Sequence, residues 1–84
     1  MRIEYFTAKW CQPCKWFGPV MKELAANSTV DLEVIDIDEH PERIPSDVMS
    51  VPTVIMYKGD IEKGRFSGAK NKTDLLEWIK VHAA

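Results

Sequence analysis

The order of apolar runs and chain breakers predicts an α/β domain of β-α-β-β-β-α order, a four-stranded mixed sheet flanked by helices. Three features carry that prediction. Short strand-forming runs occupy Arg2–Phe6, Asp31–Ile37 and Thr53–Tyr57. A helix-period stretch, Gln12–Asn27, lies between the first two, and Lys58-Gly59-Asp60 turns the third back into Ile61–Phe66. A β-α-β unit closes right-handed with parallel strands, while a hairpin adds an antiparallel edge. Helices are therefore expected on both faces of the sheet.

Each element has its own local reason. Arg2–Phe6 is rich in strand formers and ends in the loop Thr7-Ala8-Lys9-Trp10. In the first helix Trp16, Phe17, Val20, Met21, Leu24 and Ala25 form one apolar face, with Lys15, Lys22 and Glu23 elsewhere. Pro19 deletes one helical bond there and predicts a kink, with Gly18 giving room. Asn27-Ser28 ends the helix, and Asp38-Glu39-His40-Pro41 ends the second strand. Pro41–Met49 offers only a short helical turn around Ile44 and Val48. Thr53–Tyr57 is nearly all apolar, as a strand covered on both sides would be. Gly59 supplies a positive φ for the turn that follows. Asn71 is a good N-cap with Asp74 in the first turn, and the last helix turns Leu75, Leu76, Trp78 and Ile79 inward. Trp16, Phe17, Tyr57 and Trp78 are expected in the core.

Composition narrows the function. The 84 residues suit one domain, 1–84, with a modest core. A net charge of −2 argues against a nucleic-acid binder with a broad basic face. No apolar run approaches the ~20 residues a membrane-spanning helix needs, and the N-terminus lacks the apolar stretch of a signal peptide. A cytoplasmic protein is expected, and nothing in the charge pattern asks for more than a monomer.

The only cysteines are Cys11 and Cys14. Bridging so short a loop stabilises little, so the pair reads as chemical more than structural. Thiols at i and i+3 on a helix's first turn lie close enough to bridge. The helix N-terminus favours a thiolate through its partial positive charge and unpaired N–H groups. Cys11, at or before the N-cap, is expected to be the more exposed sulfur and the attacking one. Cys14 shares its stripe with Phe17 and Met21, points inward and resolves the mixed disulfide. Pro13 suits a first helical turn, and Trp10 is an exposed aromatic fit to cover the sulfurs or dock a target. Lys9 and Lys15 support the thiolate weakly, as solvated lysines do.

Trp10-Cys11-Gln12-Pro13-Cys14-Lys15 resembles the active site of thioredoxins. Pro19, the Ile37-Asp38 strand end, Val51-Pro52-Thr53 and Ser67-Gly68-Ala69 match the same family in order. The likeness covers nearly the whole chain, lacking only the N-terminal strand and helix of full-length members, and implies a minimal thioredoxin-like fold. It further implies a cis Val51–Pro52 bond facing the sulfurs, and a docking surface of Trp10, Ser50, Val51, Pro52, Gly68 and Ala69 on which a target strand pairs. Gln12, Pro13 and Lys15 would support the active site. Disulfide-containing proteins would be substrates, a thioredoxin-reductase-like enzyme would recycle the dithiol, and no metal or other cofactor would be needed. Three positions depart from the family. Tyr5 stands where a buried Asp is usual, Val34 replaces its Lys partner, and Thr7 replaces a Trp. A phenol is a poor base near neutrality, so Tyr5 reads as core filler. Gln12 replaces the commoner Gly.

Two other functions fit parts of the pattern. A glutaredoxin-like electron donor, for example to ribonucleotide reductase, would share the size and the cis-proline, but Gly68-Ala69-Lys70-Asn71 lacks the glutathione-binding Gly-Gly signature. A non-catalytic binding module would use the Cys pair as an inert bridge or half a zinc site. Zinc wants about four ligands, and only His40 and His82 could join the cysteines.

Overall fold

A computed structural model describes all residues, Met1–Ala84. The chain runs β1 (Arg2–Thr7), α1 (Gln12–Ala26), β2 (Asp31–Asp36), a 3-10 turn (Pro41–Arg43), β3 (Thr53–Lys58), β4 (Ile61–Ser67) and α2 (Lys72–Ala83). The sheet order is β2-β1-β3-β4, with β1–β2 parallel and the other pairs antiparallel. The expected element order and mixed sheet are both present. The turn falls at Pro41–Arg43, ahead of the stretch around Ile44 and Val48 where the sequence placed it.

Strand alternation divides the core in two. Ile3 and Tyr5 of β1, with Val54 and Met56 of β3, point to one face, where Phe17 and Met21 of α1 and Leu75 of α2 close over them. Rings interlock edge-on across this layer. Tyr5 meets Phe17 at 5.6 Å between centroids, Phe17 meets Phe66 at 6.1 Å, and Phe66 meets Trp78 at 4.8 Å. Such offset contacts add to the area the rings bury. The opposite face is thinner. Phe6, Ile35 and Ile55 are covered there by Ile37, Val48, Val51 and Tyr57, which come from loops and the sheet itself. The expectation of helices on both faces is corrected: both α-helices pack on one face, because the segment after β2 forms only a 3-10 turn, held by Arg43 Nη2 donating to Glu33 and Glu4 at 2.8 and 3.3 Å.

Two expected core residues lie outside the core, and a third is only half-buried at its edge. Trp16 is 51% exposed, touching Phe17 edge-on from the margin of the α1 stripe. Leu76 is exposed on α2. Tyr57 is half-buried, with the Arg2 guanidinium 4.4 Å above its ring. α1 runs through Pro19 without a break.

Candidate active site

The site forms where β1 gives way to α1. Ile37 N–H donates to the Thr7 carbonyl (2.9 Å), extending the β1–β2 pairing to the strand end. The chain then turns, and Cys11 N–H donates to the Ala8 carbonyl (3.1 Å). Cys11 is the N-cap of α1, with extended backbone. Its sulfur accepts a hydrogen bond from Cys14 N–H at 3.3 Å, the place a serine or aspartate oxygen takes in an ordinary cap. Pro13 sits in the first turn, where its missing N–H costs nothing. Cys11 and Cys14 are bridged, their Cα atoms 5.3 Å apart.

Both cysteines are buried, Cys11 at 4% and Cys14 at 6% exposure, so Cys11 is not the open residue that its place at the helix start suggests. The reason is tertiary. Ala8 joins the pair in a small cluster, and Ile37 and Val51 pack on it from the thin face. Trp10 stays 63% exposed, its indole Nε1–H donating to Asp38 Oδ2 at 2.9 Å. Gln12, Pro13 and Lys15 are exposed on the first turn of α1.

The Val51–Pro52 bond is cis, and Pro52 is fully buried. Thr53 Oγ1 donates to the Ser50 carbonyl (2.6 Å), and Gly68 N–H donates to the Pro52 carbonyl (2.8 Å). Gly68 has φ +85°, a left-handed conformation that costs glycine nothing. Trp10, Ser50 and Val51 meet along an apolar groove of about 140 Å³, continued by Ile37, Ile44, Val48 and Met49. Gly68 joins through its bond to Pro52. Ala69 does not, packing instead against the helix-face core. The sequence reading missed Ile44, Val48 and Met49, whose only signal was apolar side chains in a segment with no regular structure.

Tyr5 lies beside Val34 in the β1–β2 register and is buried. Its hydroxyl donates to Thr7 Oγ1 at 3.3 Å, and burial pushes the phenol above its ordinary pKa, the Thr7 bond partly opposing. No group of three or more His, Cys, Asp or Glu side chains converges as a metal site would. His40 pairs with Glu42 and His82 stacks on Trp78.

A family model described as thioredoxin matches residues 2–81. The chain belongs to the thioredoxin family. It is 38% identical over 78 residues to a thioredoxin of Rickettsia bellii, covering 88% of this chain and 73% of that one. It is 42% identical over 74 residues to a thioredoxin of Mycobacterium tuberculosis, of which the match covers 64%. Among solved structures, thioredoxin 1 of Thermosipho africanus superposes with a TM-score of 0.85 at 34% identity, over 99% of this chain and 94% of that one. This thioredoxin-family chain is a thiol–disulfide oxidoreductase, and its Cys pair has the family's spacing. Family membership implies protein disulfides as substrates and recycling by a reductase. No helix is long and apolar enough to cross a membrane.

Proposed function

We propose that residues 1–84 work as one cytoplasmic, monomeric domain that reduces protein disulfides through Cys11 and Cys14. The observation that supports this most is the Cys11–Cys14 bridge at the start of α1, with Cys14 N–H directed at the Cys11 sulfur. In the reduced protein the same N–H and the helix N-terminus favour a Cys11 thiolate. That thiolate attacks one sulfur of the target, the target S–S bond breaks, and the leaving target thiolate takes up a proton. Cys14, losing its proton, then attacks the Cys11 sulfur, releases the second target thiol and leaves the Cys11–Cys14 bridge. The target gains two electrons and the dithiol loses two. A thioredoxin-reductase-like enzyme returns them, so the sulfurs need no metal or organic cofactor.

Docking falls to Trp10, Ser50, Val51, Pro52 and Gly68, with Gln12, Pro13 and Lys15 shaping the first turn, while Ala69 stays with the helix-face core. The exposed Ser50 and half-buried Val51 precede Pro52 and support strand pairing by a target.

Cys11→Ser should abolish turnover of a protein disulfide. Cys14→Ser should instead accumulate a mixed disulfide with the target, seen as a mass adduct on Cys11 that dithiothreitol removes. Full turnover by Cys14→Ser would contradict the assigned roles. Recycling of the oxidised protein by glutathione faster than by a thioredoxin reductase would contradict the proposed reductase.

A further inference from the structure

Met49 is the most exposed large apolar side chain of the molecule, at 88%, whereas Met21 and Met56 are sealed in the core and Met1 is half-buried. It stands on a ridge between two cavities. One is the apolar groove it shares with Trp10 and Val51. The other, about 340 Å³, is lined also by Asp47, Arg65 and Ser67. Val51 packs against the Cys11–Cys14 cluster, so a target side chain seated in the apolar groove lies next to the reacting sulfurs.

We infer that Met49 is an oxidisable side chain on the docking rim, and that its conversion to the sulfoxide by peroxide weakens target binding while leaving the dithiol intact. The inference rests on the proposal that targets dock across Trp10 and Val51. A thioether is flexible, polarisable and apolar, well suited to an adaptable contact, and its sulfoxide is polar. In the step itself a sulfur lone pair attacks one peroxide oxygen, the O–O bond breaks, and the other oxygen leaves as water. Sulfur loses two electrons and peroxide gains them. With Cys11 and Cys14 bridged, the chain has no free thiol to compete. Peroxide therefore meets Met49 first. Methionine sulfoxide reductases reverse the change.

The test treats the bridged protein with hydrogen peroxide, quenches with catalase and maps the peptides. After re-reduction and removal of the reductant, single-turnover rates are measured with insulin and with a small aromatic disulfide that needs no docking surface. We expect one oxygen on Met49 before Met21 or Met56, and a drop of about fivefold to tenfold in the insulin rate. The small-disulfide rate should not move, and methionine sulfoxide reductase should restore the insulin rate. Met49→Leu, compared with its own untreated sample, should show no response to peroxide. Oxidation of Met49 no faster than of Met21 and Met56, or an unmoved insulin rate once it is oxidised, overturns the inference. Untreated Val51→Asp separates the two levels. An unmoved insulin rate in that variant overturns the docking proposal and the switch with it. An impaired Val51→Asp beside an unimpaired Met49 sulfoxide overturns the switch alone.

Discussion

The two faces of the sheet are built differently. On one, two helices press Phe17, Met21 and Leu75 onto Ile3, Tyr5, Val54 and Met56. On the other, Phe6, Ile35 and Ile55 are covered only by Ile37, Val48, Val51 and Tyr57, and both surface cavities draw on the loop before β3 through Val48, Met49 and Ser50. The helix face carries most of the buried side-chain volume and so most of the stability. The thin face leaves apolar side chains half-covered beside the sulfurs, where a partner can finish the burial. The Cys pair sits at the seam, anchored by α1 and covered from the thin face by Ile37 and Val51.

Substitutions can break this contrast or sharpen it. Phe17→Ala should have the largest effect, because it empties the centre of the aromatic layer. A loss of about 3–5 kcal/mol is expected from urea unfolding, a large share of a small domain's total. A loss below about 1 kcal/mol would show that the helix face is not the main support. Gly64→Ala comes next. A Cβ at that position would collide with the His82 imidazole, which stacks on Trp78 at 4.5 Å and bonds its carbonyl through Nδ1 at 2.8 Å. Moving the ring and the end of α2 should cost about 1–3 kcal/mol, with turnover unchanged at temperatures where the variant stays folded.

Tyr5→Phe probes the helix face under the site. It keeps the ring and removes one hydrogen bond, so about 1 kcal/mol or less should be lost at neutral pH, with turnover within about twofold. Burial raises the Tyr5 pKa. Stability tied to the neutral phenol is thus fully present below the unfolded pKa of about 10 and lost as pH rises through the folded value. Tyr5→Phe should flatten that alkaline limb, and a tenfold fall in neutral turnover would instead give the phenol a part in catalysis. Glu33→Gln should have the smallest effect. Hydrogen bonds from Arg43 hold the Glu33 carboxyl below its ordinary pKa. Its contribution is present above the unfolded pKa of about 4.3 and lost as pH falls through the lowered value. Because the pair is exposed and screened, Glu33→Gln should shift the acid-unfolding midpoint upward slightly, and salt should erase the shift.

Much of this architecture was legible in the chain because local patterns and tertiary packing agree there. Gly59 takes the positive φ its turn needs, Asn71 Oδ1 accepts from Asp74 N–H, and the apolar run of β3 is buried on both faces. Failures came where one helix stripe had more apolar side chains than the sheet could receive. Phe17 occupies the central place and Trp16 is left at the margin, a choice periodicity does not make. Burial of Cys11 was equally illegible, since Ile37 and Val51 cover it from distant parts of the chain. Trp10 was placed correctly as exposed, yet its bond to Asp38 depends on how the ends of β1 and β2 meet.

The central claim is that Cys11 and Cys14 cycle as a two-electron couple, and equilibrium titration of the purified protein in dithiothreitol redox buffers tests it most directly. Tryptophan fluorescence and thiol alkylation would be followed together. A single reversible transition, with both thiols appearing in step with the fluorescence change and n = 2, is expected. A bridge that stays closed in excess reductant while the fold persists, or thiols that do not re-form the bridge on reoxidation, would contradict it.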